Sequence, residues 1–227
     1  MVIFNFVMRG DIILIGEHHR KAAQEVFYLI RDRLKGSGSK QVITVAGESG
    51  AGKSEIAAAL AEVFDASGIK ALILQQDDYF FLPPKTNAEN RLLDLDKNVG
   101  SGEVNLGLLN QNIGSFLKHD PLIVKPLVLF KEDIISEEIV HISEYQVLII
   151  EGTYTTLLQN VDHRVFIDRD VNDTREARML RNRERQDETL EKILGIEHQI
   201  ISKHKLMADI VISRDFFATI NDTKPNP

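Results

Sequence analysis

The stretch QVITVAGESGAGKSEIAAALAEVFD, residues 41–65, decides the fold of this chain. It begins with an apolar run rich in β-branched residues, residues 42–46, which predicts a buried strand. Ile56, Leu60 and Val63 then recur at helical spacing. Between the two lies GESGAGKS, whose glycines permit backbone angles that other residues avoid. The stretch therefore predicts the order strand, loop, helix.

The loop matches the pattern G-x-x-x-x-G-K-[ST] of a phosphate-binding loop, in the strand–helix context that this pattern requires. Backbone N–H groups of such a loop surround an anion, and the helix N-terminus adds partial positive charge. We expect Lys53 to reach the β- and γ-phosphates of ATP, and the Ser54 hydroxyl to bind Mg²⁺. The other predicted nucleotide-binding residues are Gly47, Glu48, Ser49, Gly50, Ala51, Gly52 and Glu55.

Composition sets the broad class. The chain has 227 residues, 43% of them hydrophobic, which indicates one domain or one domain with a modest insertion. Its net charge of −7 argues against a general partner in nucleic acid or an anionic membrane. The absence of cysteine excludes disulfides, thiolate metal sites and a thiol nucleophile. Residues 1–8 are too short to span a bilayer and lack signal-peptide features, so we expect a cytoplasmic protein.

Four further apolar runs follow the first strand and alternate with helical segments. They are short and consist mainly of Val, Ile, Leu and Ala, and they cover residues 71–74, 147–150, 165–167 and 208–212. This alternation predicts an α/β fold of the P-loop NTPase type, with three α/β/α layers and a five-stranded parallel sheet. Ligands bind at the carboxyl ends of the strands in such sheets. Residues that directly follow each run are therefore candidates for the site.

The first 40 residues form an N-terminal extension ahead of the phosphate loop. We expect a small strand at residues 12–15 and an amphipathic helix at 18–34. The Gly-Ser segment 36–39 is expected to be a flexible joint.

The main domain is expected to cover residues 41–220, followed by a disordered tail at 221–227. Residues 81–145 do not fit its alternating pattern, and we expect them to form an insertion that binds the acceptor substrate. This insertion should contain one helix and two short strands, at residues 104–117, 127–130 and 137–142.

Acidic residues follow two of the predicted strands. Asp77 comes directly after residues 71–76 and is a candidate general base that also contacts Mg²⁺, because a kinase needs a carboxylate to accept the acceptor's proton. Glu151 stands at the end of the third run, where a Walker-B acid holds Mg²⁺. The alternatives are a solvated turn for the Asp77–Asp78 pair and a turn or capping acid for Glu151.

Five arginines lie within eleven residues, at positions 175, 178, 181, 183 and 185. Arg178, Arg181 and Arg185 would share one helical face, which favours a lid at residues 172–190 with at least one arginine that neutralises the transferred phosphate. The alternative is a solvated charged helix, since acidic residues are interleaved. His198 and His204 follow, six residues apart, and are expected to be surface residues.

The acceptor site is the least defined. Residues 84–91 follow the aspartate pair closely, so Lys85 and Arg91 are placed where an acceptor would enter, with Asp78 and Tyr79 as further candidate contacts. The alternative is that Lys85 and Arg91 are solvated loop charges.

Five segments of the chain are, in order, GESGAGKS, QQDDYF, VLIIEGTY, DTREARMLRNRERQDETLEKIL and ADIVISRD. The same order is seen in the uridine kinase and phosphoribulokinase group of P-loop kinases, which this chain resembles over residues 41–214. The resemblance implies ATP and Mg²⁺ as cofactors and a sheet order of 2-3-1-4-5. It also implies Asp77 as general base and magnesium contact, Glu151 as second magnesium contact, and Arg178 and Arg181 as catalytic residues of the lid.

The chain departs from this group where the acceptor binds. Uridine kinases typically carry a Tyr-Asp pair in a segment like PVYDF, whereas residues 126–130 read PLVLF. The group's ribose-binding Asp also has no clear counterpart near residues 94–103. We therefore predict a kinase that phosphorylates a hydroxyl of a polar or anionic metabolite, such as a sugar phosphate or hydroxy acid. The alternatives are a true uridine or cytidine kinase and a regulatory ATPase, and the sequence leaves a homo-oligomer open.

Overall fold

The computed structural model describes residues 13–34, 39–175, 178 and 188–224. Its main sheet contains β1 (Gln41–Gly47), β2 (Ala71–Gln75), β5 (Val147–Glu151), β6 (His163–Ile167), β7 (Ile210–Ile212) and β8 (Ala218–Ile220). Two further strands, β3 (Leu122–Leu129) and β4 (Ile134–His141), form a separate hairpin. The helices of at least ten residues are α1 (Glu17–Ile30), α2 (Lys53–Ala66), α3 (Pro84–Leu93), α5 (Leu106–Leu117) and α6 (Glu188–Ile201), and the short α4 is Leu95–Asn98.

The main sheet confirms the expected topology and adds one strand. Its order is β2-β5-β1-β6-β7-β8, and the first five strands are parallel. This is the predicted 2-3-1-4-5 order. The prediction of five strands is one short, because β8 pairs antiparallel with β7 at the edge. A strand of three residues is too short to show a periodic pattern in the sequence.

The central strands are buried on both faces, as their apolar sequences predict. On one face they pack against α2, whose buried side chains include Ile56, Leu60 and Phe64. On the other face, Leu148 and Ile150 belong to a core cluster with residues of α5. The parallel strands therefore lie between helical layers, and their carboxyl ends are held at one edge.

The predicted extension contributes to the main core. The amphipathic helix is present as α1, with a 3₁₀ turn at Arg31–Arg33, and it buries Ala22, Val26 and Ile30 in the cluster that contains α2. The predicted strand at residues 12–15 is wrong for residues 13–15, which form no strand. Most of the Gly-Ser joint lies outside the described residues.

The two ends of the described chain meet at α1. The backbone N–H of Ala218, in β8, donates to Glu25 Oε2 at 2.8 Å. After β8, the Asn221 side-chain amide donates to the carbonyls of Lys205 and Ala208 at 2.8 and 3.0 Å. Residues 221–224 are thus anchored, and the expectation of a disordered tail is wrong for them, while 225–227 lie outside the described residues.

The insertion between β2 and β5 contains the predicted elements. The helix expected at residues 104–117 is α5, and the two expected short strands are the hairpin β3–β4, each longer than predicted. Pro126 lies within β3 opposite Glu137; a two-stranded hairpin tolerates this because each strand has an unpaired edge. Among the helices that the structure describes, none is both long and apolar enough to cross a membrane.

Candidate active site

The three strands that carry the predicted site residues are neighbours. In the sheet register, Glu151 of β5 lies beside Val45 of β1 on one side and Gln75 of β2 on the other. The phosphate loop follows β1 directly, and Asp77 lies on the 3₁₀ turn Gln76–Tyr79 that follows β2. The sheet order therefore brings together the loop, Asp77 and Glu151, which are distant in sequence.

The phosphate loop is closed by contacts to its own backbone. Lys53 Nζ donates to the carbonyl of Glu48 at 2.9 Å, and the N–H of Ala51 donates to the same carbonyl at 3.1 Å. Gly50 has φ of +76°, and a Cβ there would lie 2.9 Å from Cγ of Arg178. Glycine is therefore required at position 50 both for the backbone angle and for the approach of the lid arginine.

Ser54 and Glu151 are in direct contact. The Ser54 hydroxyl donates to Glu151 Oε1 at 3.0 Å. Burial, followed by the nearby Asp77 carboxylate, raises the pKa of Glu151 to about 7, although Lys53 and Ser54 oppose this shift. A cation at this position would favour the ionised form of both carboxylates.

These residues fit a magnesium ion. A hydroxyl and two carboxylates supply oxygen ligands, and Mg²⁺ usually takes one or two carboxylates and completes its shell with water and phosphate oxygens. In the part of the chain that the structure describes, no group of three or more His, Cys, Asp or Glu residues forms a metal site by itself. Ser54, Asp77 and Glu151 are thus suited to a metal that arrives with a nucleotide.

The two aspartates have different surroundings. Asp78 is buried, with Oδ2 accepting from Lys125 Nζ at 2.6 Å and Oδ1 accepting from the Val128 N–H at 3.0 Å. Both oxygens therefore anchor the β3–β4 hairpin to the end of β2. Asp77 is half-buried and lies close enough to Glu151 to raise its pKa. This geometry favours Asp77 as the reacting carboxylate and gives no support to Asp78 as an acceptor contact.

Tyr79 is also engaged within the protein. Its side chain is fully buried, and its hydroxyl accepts from the Asn112 side-chain amide at 2.8 Å. Burial raises the pKa of this hydroxyl above its usual range. The contact joins the turn that carries Asp77 to α5, so it supports a positioning role for Tyr79 more than the predicted contact with an acceptor.

The environment of Arg91 matches neither the predicted acceptor contact nor the alternative of a solvated loop charge. Its side chain is only 13% exposed and pairs with Glu103 at 2.5 and 3.1 Å and with Glu197 at 3.3 Å. It is therefore not a solvated loop charge, and two carboxylates already neutralise it. Lys85 is exposed, and its backbone N–H donates to Asp133 at 2.6 Å. Of the two cations predicted to face the acceptor, Arg91 is therefore neutralised within the protein, whereas Lys85 keeps an exposed side chain.

Gln76 and Tyr154 belong to the site and were not anticipated. Gln76 Oε1 accepts from the Tyr154 N–H at 2.7 Å, and a Cβ at Gly152 would lie 2.2 Å from Cβ of Gln76. This close approach explains the glycine after Glu151. Within the described chain, Gln76 Nε2 and the Tyr154 hydroxyl are buried without a hydrogen-bond partner. A polar residue directly after a buried strand was the available signal for Gln76.

The described part of the predicted lid folds onto the phosphate loop. Arg178 Nη1 donates to the carbonyl of Val171 at 2.8 Å and to the Thr174 hydroxyl. Arg178 Nε is buried and has no partner among the described residues. Arg169, which the sequence did not indicate, lies with its guanidinium 4.9 Å from the ring centroid of Phe216. Arg181 lies outside the described residues, as do Arg183 and Arg185.

The expectation that both histidines are surface residues is wrong for His204 only, since the side chain of His198 is 44% exposed. His198 Nδ1 lies 2.6 Å from Oε1 of Glu48 in the phosphate loop. His204 is buried, and its Nδ1 lies 2.7 Å from the Thr156 hydroxyl. Burial lowers the pKa of His204. His198 therefore belongs to the site, and His204 to the core beneath it.

A phosphate loop, a hydroxyl with two carboxylates beside it, and an arginine packed over the loop are together the site of a P-loop phosphotransferase. The chain belongs to the phosphoribulokinase / uridine kinase family, whose model matches residues 42–214. It is 30% identical over 184 residues to a uridine kinase from Geobacillus sp. (strain WCH70), covering 75% of this chain and 84% of that one.

Two other comparisons concern a further kinase and a solved structure. The chain is 26% identical over 190 residues to the bifunctional alpha-galactosidase/sucrose kinase AgaSK of Mediterraneibacter gnavus, over 78% of this chain and 20% of that longer protein. The solved structure of a putative fructose transport system kinase from Silicibacter sp. TM1040 superposes with a TM-score of 0.63 and 21% identity, covering 82% of this chain and 95% of that one. The latter likeness supports the fold.

Proposed function

We propose that this protein is an ATP- and Mg²⁺-dependent kinase that transfers the γ-phosphoryl group to a hydroxyl of a small, neutral, polyhydroxylated metabolite. The observation that carries the kinase part is the contact of Ser54 with Glu151, beside Asp77 and at the base of the phosphate loop. This arrangement offers two carboxylates and a hydroxyl to a metal, and one of the carboxylates, Asp77, can also act as the base.

Each residue has a distinct task in this proposal. Lys53 exchanges its contact with the Glu48 carbonyl for the nucleotide phosphates and neutralises charge during transfer. Asp77 accepts the proton of the acceptor hydroxyl, whose oxygen forms the new bond to phosphorus while the bond to the ADP oxygen breaks. Ser54, Asp77 and Glu151 would hold Mg²⁺, which when bound neutralises the phosphate oxygens.

The acceptor class follows from the charges near the Asp77 turn. The N–H of Phe81 donates to the carbonyl of Glu103 at 2.9 Å, so the Arg91 ion-pair cluster is attached to that turn. If Glu103 and Glu197 are both ionised, their two negative charges exceed the single positive charge of Arg91. A net negative cluster repels an anionic acceptor and a balanced cluster does not attract it, whereas carboxylate and amide groups accept and donate hydrogen bonds with hydroxyls.

The named relatives agree with a neutral acceptor. A uridine kinase and a sucrose kinase act, by their names, on uncharged compounds with several hydroxyls. We therefore replace the anionic acceptor expected from the sequence with a neutral one. Uridine remains a specific candidate because the chain is 30% identical to a uridine kinase over 184 residues, although residues 126–130 lack the Tyr-Asp pair of that group.

The test is an ADP-release assay with three groups of acceptors. Neutral compounds (uridine, cytidine, sucrose, fructose) are compared with anionic ones (sugar phosphates, glycerate, pantothenate) and with no acceptor, using Lys53→Ala as the inactive control. We expect a neutral compound to stimulate ADP release most strongly. A strong preference for an anionic acceptor would overturn the acceptor class but not the kinase. ADP release that no acceptor stimulates would favour the regulatory ATPase.

A further inference from the structure

The phosphate loop contains a carboxylate that works against its function. Glu48 directly follows β1, and its side chain is 10% exposed. A loop that binds phosphate concentrates N–H groups and positive charge, so an ionised carboxylate within it repels the anion it binds. Burial raises the pKa of Glu48, which shows that the charged form is poorly solvated. The kinase chemistry proposed above makes no use of this side chain.

A single histidine meets this carboxylate. His198, on α6, places Nδ1 2.6 Å from Glu48 Oε1 across 150 positions of sequence. Lys53 lies near Glu48 too, but its ammonium contacts the backbone carbonyl of that residue. Asp170 also faces Glu48 and raises the pKa of its carboxyl, so it adds to the negative charge.

The carboxylate of Asp170 is itself paired with an arginine, Arg214. Arg214 Nη2 lies 2.9 Å from Asp170 Oδ2, and Arg214 Nε lies 2.9 Å from Asp173 Oδ2. Arg214 thus pairs with one carboxylate just before the predicted lid and with another at its start. Among the residues that the structure describes, His198 is the side chain that contacts the carboxylate of Glu48 directly, and it lies on the helix after the predicted lid.

We infer that His198 is a positioning residue of the nucleotide site, which neutralises the Glu48 carboxylate so that the phosphate loop accepts an anion. In the form with both ring nitrogens protonated, Nδ1–H donates to the carboxylate and the pair has no net charge. It also connects α6, and through it the lid segment, to the loop that binds the phosphates. The inference rests on the proposed function only in that the loop binds a nucleotide.

The test is a double-mutant cycle on the full chain, read as the Kd of Mg·ATP by equilibrium binding and checked by ligand-induced thermal shift. His198→Ala leaves the Glu48 carboxylate in the loop without its counter-charge, so we expect Kd to rise about threefold to tenfold at low salt. High salt should reduce this effect, because screening weakens repulsion between partly exposed charges. His198→Gln, which keeps a hydrogen-bond donor without the charge, should fall between the wild type and His198→Ala.

The decisive comparison uses Glu48→Gln as the background. If His198 acts by neutralising Glu48, then His198→Ala should change Kd by less than about twofold once the carboxylate is an amide. An equal loss of affinity in both backgrounds would overturn the inference and assign His198 to the packing of α6. No loss in either background would overturn it as well. A wild-type protein that binds no nucleotide, like Lys53→Ala, would instead refute the proposed function.

Discussion

Replacement of Arg91 by alanine should destabilise the protein strongly. Arg91 is 13% exposed, and its partners Glu103 and Glu197 are 5% and 12% exposed at their side chains. The variant would remove the cation that pairs with both carboxylates of this buried cluster. Removal of one partner from a buried ion pair typically reduces the free energy of unfolding by about 3–5 kcal/mol. We expect a loss in this range at pH 7.

The loss in free energy of unfolding caused by Arg91→Ala should depend on pH in a defined direction. Without Arg91, an ionised carboxylate in this buried cluster lacks the arginine's counter-charge, and binding of a proton would relieve that cost. A raised carboxyl pKa favours the folded state at low pH and opposes it as pH rises. The difference between wild type and variant should therefore shrink as the pH falls from 7 towards 5.

Urea unfolding measures this prediction, with the free energy of unfolding and the m-value taken from linear extrapolation. Lys97→Ala is the matched control, because the Lys97–Asp94 pair is 3.0 Å long but its side chains are 81% and 39% exposed. Exposed pairs contribute about 0–1 kcal/mol, so this variant should unfold almost like the wild type. A loss below about 1 kcal/mol for Arg91→Ala, at an unchanged m-value, would show that water reaches the cluster and would refute the reasoning.

Four other predictions concern the site itself. Lys53→Ala should remove ATP-induced thermal stabilisation while the apo protein melts normally, and an unaltered ATP shift would contradict the role of the loop. Asp77→Asn should lower kcat by about 10²–10⁴ without loss of fold, and an effect below about tenfold would exclude it as the base. The pKa of Glu151 is about 7 in the folded protein, raised from 4.5. The stability of the nucleotide-free protein should therefore fall as the pH rises between these values. Glu151→Gln should reduce this dependence of stability on pH, measured as a series of melting curves. Tyr154→Phe should stabilise the protein by up to about 1 kcal/mol in urea, since it removes a buried hydroxyl without a partner in the described structure; a clear destabilisation would mean that the hydroxyl is bonded.

Local patterns predicted the fold because each parallel strand of the main sheet is an apolar run and because α1 and α2 have periodic apolar faces. The phosphate loop, Asp77 and Glu151 were placed correctly at strand ends, since sheet order alone brings those ends together. The edge strand β8 was not predicted, because three residues become a strand only through pairing with β7.

The charged residues of the acceptor region could not be assigned from sequence, because their partners lie far along the chain. Asp78 contacts Lys125, 47 positions away, and Arg91 contacts Glu197, 106 positions away. A cation that looks available for a ligand can thus be neutralised by a carboxylate that only the folded chain brings close. Residue type and local spacing carry no information on such pairs.

The contact of Ala218 with Glu25 limits how far the protein can be shortened at its two ends. The family match ends at residue 214 and begins at residue 42, yet α1 lies before it and β8 lies after it. These two elements are bonded to each other, and α1 covers the apolar side of α2. A shortened protein limited to residues 42–214 would expose that side of α2 to water and would be prone to aggregate. The segment that matches the family model is therefore shorter than the segment that folds.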